Sequence, residues 1–304
     1  MAHFVYMNSI VSHKKCLVCG SENFSEQLKL KDYSISNEDF ELLKCDTCSF
    51  VFTQNIPDQN TIGPYYQSEE YISHSDTKKG LINSLYHRVR DWMLKSKSRL
   101  LNHYVKEKTL LDVGSGTGYF LSFMKKNGFE VLGVEVDETA RNFGKEKFGL
   151  EILEPKMMLE GGISKQFDAI TMWHVLEHLH DPDAYFSSYK ELLKKDGVLV
   201  IAVPNCASYD AKHYGKHWAA YDVPRHLWHF TPSTIEKLGD RNGFKLVEKK
   251  RLPFDAFYCS LLSEKYKGNS LFFISGFLIG GISWLQGLFN IDKTSSLTYV
   301  FKLK

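Results

Sequence analysis

The chain has 304 residues, 43% of them hydrophobic, and a formal net charge of +2 at pH 7. That length and apolar content allow one large domain with a substantial core plus a smaller unit, and the near-zero charge excludes the electrostatic footprint that duplex nucleic acid would demand. The opening MAHFVYMNSIVSHKK lacks the continuous apolar core of a signal peptide, and there is no internal repeat, so a cytoplasmic setting is expected.

Four of the six cysteines fall in two C-x-x-C knuckles, Cys16 to Cys19 and Cys45 to Cys48, with 25 residues between them. Paired knuckles at this spacing suit a four-thiolate zinc site, and a closed tetrahedron without an open position points to a structural ion. Cys206 and Cys259 stand alone among apolar residues and read as bystander thiols. Strand-like runs at Phe24 to Leu30 and Phe40 to Lys44 complete a ribbon-like module over residues 1–55. The polar stretch that follows reads as a surface linker over 56–80. From Leu81 to Tyr104 apolar residues such as Ile82, Leu85, Val89, Trp92, Met93 and Leu100 recur at helical spacing, with Arg88, Arg90, Lys95, Lys97 and Arg99 on the wet faces.

This helix leads to the run Leu110-Leu111-Asp112-Val113-Gly114-Ser115-Gly116-Thr117-Gly118, an apolar strand entering three alternate glycines. Such glycines tolerate positive φ and let a ligand approach the main chain, while the helix expected from Tyr119 offers unpaired N–H groups. The spacing departs from the G-x-G-x-x-G of dinucleotide sites because Tyr119 holds the last glycine's place. The next strand ends in Glu135, 17 residues past Gly118, where a doubly wound sheet places an acid for ribose hydroxyls. Together these imply a nucleoside ligand. LLDVGSGTG and GVEVDE resemble the first two motifs of the class I S-adenosylmethionine (SAM) dependent methyltransferases, over about residues 85–250. The resemblance implies that Gly114, Ser115, Gly116 and Gly118 line the cofactor, with Asp112 in support, Glu135 on the ribose and Trp173 beside it.

Further on, Glu138 to Phe148 reads as a helix, Leu150 to Ile152 and Phe167 to Trp173 as strands, and Pro182 to Lys194 as a helix capped by Asp181. Val198 to Val203 and Lys245 to Lys250 read as strands around a helix opened by Thr231-Pro232, and Leu297 to Leu303 alternates like a last strand. The alternation predicts an α/β fold with a doubly wound, mostly parallel seven-stranded sheet over 81–304. Seven of the twelve histidines crowd between His174 and His229. His174, Glu177, His178, His226 and His229 are the candidate catalytic residues, since they follow the carboxyl ends of strands where such sheets bind ligands. An imidazole here could take a proton from an acceptor hydroxyl, or nitrogen and carboxylate groups could hold a divalent metal that polarises it. Packing and hydrogen bonding at a strand end is the alternative to either role. The pattern is similar to the E-x-x-E-H and R-H-x-x-H groups of metal-dependent small-RNA 2′-O-methyltransferases, with His174 replacing the first acid, and to the E-H of quinone-biosynthesis O-methyltransferases.

The segment 205–231, with Trp218, Tyr221 and Trp228, reads as a lid over a small acceptor, either a sugar or an aromatic ring. By resemblance to ribbon-bearing enzymes that modify deoxysugars, a sugar hydroxyl is the first expectation. A quinone-like phenol comes second, and an RNA methyltransferase or zinc-ribbon RNA binder third. Leu271 to Ile291 is a run of 21 residues without a charge, flanked by Lys265, Lys267 and Lys293. It is expected to lie as a helix or hairpin on the inner membrane surface, with a buried or dimer-forming helix as the second reading and a true span as the third.

Overall fold

Every residue of the run Thr109–Val113 is buried, as a strand covered on both faces requires, and it forms the middle of the main sheet in a computed structural model that describes residues 9–66 and 81–304. The strands of this sheet are β6 (Thr109–Val113), β7 (Glu130–Val134), β8 (Ile152–Leu153), β9 (Phe167–Trp173), β10 (Leu193–Pro204), β12 (Phe244–Leu252) and β13 (Ser296–Leu303). Their order is β12-β13-β10-β9-β6-β7-β8. β13 alone runs antiparallel to its neighbours, so the expected doubly wound, mostly parallel sheet is present.

Most of the covering helices form where the periodicity and caps place them. α1 is Leu81–Tyr104, α2 Tyr119–Lys126, α3 Glu138–Phe148, α4 Pro155–Leu159, α5 Pro182–Leu192, α6 Tyr209–Tyr214, α7 Pro232–Arg241, α8 Asp255–Tyr266 and α9 Phe272–Phe289. Of these, α4, α6 and α8 are not expected from the sequence. Asp137 caps α3, Asp181 caps α5 through Ala184 N, and Thr231 and Thr234 form a reciprocal capping box on α7. The third strand sits at Ile152–Leu153 rather than at Leu150 to Ile152 because Leu150 turns into the core behind β6. In α1, Trp92 is half exposed against Phe254 instead of buried, and Lys97 points inward rather than to water.

At the N-terminus β1 (Ile10–Val11) pairs with β5 (Ile56–Pro57), while β2 (Phe24–Lys31), β3 (Asp39–Cys45) and β4 (Val51–Gln54) form an antiparallel ribbon. The ribbon is not a bead on a string. β11 (Trp228–His229), from the lid, adds to β4 with Trp228 opposite Phe52 and His229 opposite Val51. One apolar core then runs from Cys16, Phe50 and Phe52 through Trp228 and Phe230 to Leu111, Ile170 and Ile201. The expected surface linker needs correction over 56–66, where Ile56, Ile62 and Tyr65 are buried in that core. The rest of it, 67–80, lies outside the described residues.

Candidate active site

The glycine turn divides its work unevenly. A Cβ on Gly114 would lie 2.3 Å from Val175 Cγ2, and one on Gly118 2.6 Å from Leu150, so these two glycines serve close packing. Gly116 has φ +52 with open space where a Cβ would be, and it is the position where a ligand can reach the main chain. Its N–H donates to Glu135 Oε2 at 2.7 Å, while Asp137 N–H donates to Oε1 at 3.0 Å. Each carboxylate oxygen keeps a lone pair for a hydroxyl. No side chain caps α2 at Gly118, which leaves its first N–H groups for a ligand. Ser115 Oγ and Trp173 Nε1 are buried without a partner, two polar atoms that a bound molecule would satisfy.

Below this turn Asp112 accepts from the Thr171 hydroxyl at 2.5 Å, and burial pushes its carboxyl up to about 7. Lys97 lies 4.0 Å over the Trp173 ring; burial brings its pKa down to about 8 against the pull of Asp112 and Asp255. The indole face and the two carboxylates thus seat the Lys97 ammonium. The glycine cradle, the ribose acid and the unpartnered Ser115 and Trp173 atoms fit SAM.

Val175, packed on Gly114, carries the chain straight into the histidine cluster. His174 is held in left-handed backbone at φ 58 with its ring between two acids, Nδ1 3.4 Å from Glu177 and Nε2 3.2 Å from Asp255. Burial opposes its charge, but the two carboxylates prevail and raise its pKa to about 10. Glu177 is fully buried, and neither of its oxygens has a hydrogen-bond partner. Burial alone would protonate it; the ion pair with His174 holds it below the usual carboxylate range.

His178 Nδ1 faces the Arg225 carbonyl at 2.9 Å and the Tyr66 hydroxyl at 3.1 Å, and His226 Nδ1 faces the Ala220 carbonyl at 2.8 Å. A carbonyl only accepts, so each Nδ1 carries the hydrogen; the Nε2 of His178 is left with a bare lone pair, while that of His226 lies 3.9 Å from Asp222. Burial, aided by His226, lowers His178 to about 4, which keeps it neutral. Ligand atoms of Glu177, His178 and His226 lie within 4.8 Å of one another. The His178 and His226 imidazoles with the Glu177 carboxylate make a donor set that fits a divalent first-row cation.

His229 does not join this set. Its Nε2 lies 3.0 Å from the Thr53 hydroxyl on β4, and burial lowers its pKa to about 3. His174 is likewise committed to its two acids.

The lid segment is held from the ribbon side. Arg225 donates to Asp32 at 2.9 Å, to Asp222 at 2.7 Å and to the Tyr65 carbonyl at 2.8 Å, and the next residue is His226. From the sequence Asp32 and Asp255 are not singled out, Asp222 is read only as part of the lid, and Lys97 is expected on a wet face. A left-handed Asp222 at φ 35 beside Arg225, and an acid in the first turn of a helix after a strand, carry no distinctive spacing.

In the ribbon, Cys16 and Cys48 sulfurs are 3.5 Å apart, as are those of Cys19 and Cys45, and all four gather within 4.8 Å. Gly20 and Ser49 follow the knuckles in left-handed backbone and donate back to the Cys16 and Cys45 carbonyls. Burial opposes ionisation of Cys45, but N–H groups of Cys48 and Thr47 lower it to about 7. The four cysteines fit a zinc ribbon.

A family model described as a methyltransferase domain matches residues 85–249, more than half of the chain. A ubiquinone biosynthesis O-methyltransferase of Dinoroseobacter shibae is 30% identical over 157 residues, covering 48% of this chain and 63% of the relative. One from Pelagibacter ubique is 26% identical over 180 residues, covering 55% and 72%. The chain thus spans somewhat less than two thirds of the Dinoroseobacter relative's length. Among solved structures, magnesium protoporphyrin IX methyltransferase from Synechocystis PCC 6803 with bound SAH superposes with a TM-score of 0.53 at 12% identity, covering 81% of this chain and 100% of that one, a likeness of fold.

Proposed function

Because the chain belongs to the methyltransferase-domain family, we propose that it transfers a methyl group from SAM to a hydroxyl of a small aromatic acceptor of the quinone-precursor kind. The observation that carries this reading is the fully buried Glu177, paired with His174 on one side and gathered with His178 and His226 on the other, two residues after the Val175 that packs on Gly114. The relatives' names move the acceptor from the sugar first expected toward a phenol, and nothing comparable supports sugar or RNA.

SAM, when bound, supplies an electrophilic methyl on sulfur. Gly116 and Glu135 would fix its nucleoside, and Ser115 Oγ and Trp173 Nε1 would offer it their unpartnered polar atoms. A divalent cation held by Glu177, His178 and His226 would lower the pKa of an acceptor hydroxyl. The Nε2 of His178 or His226 is otherwise the base that takes the hydroxyl proton as oxygen bonds to the methyl carbon and the carbon–sulfur bond breaks. Zinc on Cys16, Cys19, Cys45 and Cys48 would stiffen the ribbon that holds the lid.

The test is transfer of labelled methyl from SAM to a catechol bearing an apolar chain, with a nucleotide sugar and an RNA oligonucleotide alongside. A labelled catechol ether is expected; label only in the sugar or RNA overturns the phenol reading. Activity lost to a chelator and restored by manganese, cobalt or magnesium supports the cation, while full resistance leaves histidine as the base.

A further inference from the structure

The hairpin of α8 and α9 has an inside made almost without side chains. Along α9 the buried positions are Gly276, Gly280, Ser283 and Gly287. A Cβ on Gly276 would lie 2.8 Å from Leu261 Cα, one on Gly280 2.8 Å from Phe257 Cα, and one on Gly287 2.7 Å from Thr294 Oγ1. Ser283 donates to the buried Asp210, which also accepts from Ser295 and the Trp218 indole. The helix is therefore fastened along its whole length, and both its ends return to the catalytic unit. A single crossing of a bilayer would break these contacts, although α9 is long and apolar enough for one.

The large apolar side chains face away from this seam. Phe273, Ile274, Leu278 and Phe289 are 59%, 60%, 63% and 89% exposed, and Phe277 and Leu285 are exposed beside them. α9 carries neither acid nor base, and lysines of the flanking segments lie near both ends. Lys265 sits 5.4 Å over the Phe272 ring at one end, while Lys267 is paired with Glu264. At the other end Lys212 and Lys293 adjoin closely enough that Lys212 lowers the pKa of Lys293. The nearby Asp292 is engaged by Lys249, so this end stays net positive and suits an anion. Cations at both ends of one helix, about 27 Å apart, fit a helix lying flat at the depth of lipid phosphates. A second copy docked face to face would instead set this lysine rim against its own.

We propose that the outer face of α9 docks on an anionic phospholipid surface, its phenylalanines and leucines in the acyl boundary and Lys212, Lys265 and Lys293 on the phosphates. α8 starts at Asp255, the partner of His174, so docking holds the candidate acceptor site next to the lipid.

The test is flotation of the full chain with vesicles of phosphatidylcholine alone or mixed with phosphatidylglycerol, followed by Trp284 emission. Binding to the mixed vesicles is expected, with a blue shift that Trp284→Phe removes. The double variant Phe277→Ser, Leu278→Ser should lose binding by on the order of tenfold or more while retaining SAM affinity, which reports its folding. Lys212→Gln and Lys293→Gln should each cost about fivefold. Wild-type protein left in the soluble fraction with both vesicles overturns the proposal. So does a soluble dimer that Leu278→Ser splits without any vesicle binding, which would make a second copy the occupant. A tag after Lys304 protected from protease in sealed vesicles would contradict it by showing a span.

Discussion

At the residue scale the site rests on paired charges whose removal has opposite signatures. Asp32 is buried and bonded to Arg225, Ser34 and Ser36, and although burial works against its charge, these donors lower its pKa. Asp32→Ala leaves the Arg225 guanidinium facing one acid fewer in the core, and denaturant unfolding should show a loss of about 3–5 kcal/mol. Because the folded pKa lies below the unfolded one, this stability is present above about pH 4 and is lost as pH falls through the folded value. His174 has the reverse sign. Its contribution is complete below the ordinary 6.5 and is lost as pH rises through about 10, so its ring resonances should not titrate near neutrality. A ring that titrates near 6.5 would show that Glu177 and Asp255 do not hold it. Gly116 and Glu135 were legible in the sequence because their spacing is fixed by a strand, a turn and a strand. Lys97 was not, since a lysine on a helix is ordinarily wet, and only the fold brings Asp112 and Asp255 to it.

At the element scale the sequence spoke most clearly where one periodicity met one burial pattern. β9 and α1 begin and end where the apolar pattern indicates, and α3 is bounded by Asp137 and by Gly149 in left-handed backbone. α8 was silent because the residues it buries are Ala256, Cys259, Ser260, Ser263 and Glu264, small or polar groups that show no apolar stripe. The lid's α6 has only six residues, too few for a period to declare itself. For the ribbon, Cys45→Ser should lower zinc per chain from one and expose β2 and β3 to protease, measured by elemental analysis and limited digestion. Metal-free protein with an intact, resistant ribbon would contradict that assignment.

At the scale of the whole molecule, ribbon, lid and sheet are one mechanical unit. β4 pairs with β11, Arg225 spans from Asp32 to Asp222, and His178 and His226 flank that arginine through main-chain contacts. Zinc removal should therefore shift a single cooperative thermal transition instead of melting the ribbon alone, and calorimetry would show two transitions if the units were independent. The separation between cofactor side and acceptor side is the central claim, and calorimetric titration with SAM tests it most directly. Gly116→Leu should abolish binding by filling the cradle, and Glu135→Ala should weaken it by about 1–3 kcal/mol. His178→Ala should bind as wild type while turnover falls on the order of 10²- to 10⁴-fold. Unchanged SAM affinity in both Gly116→Leu and Glu135→Ala would contradict the account.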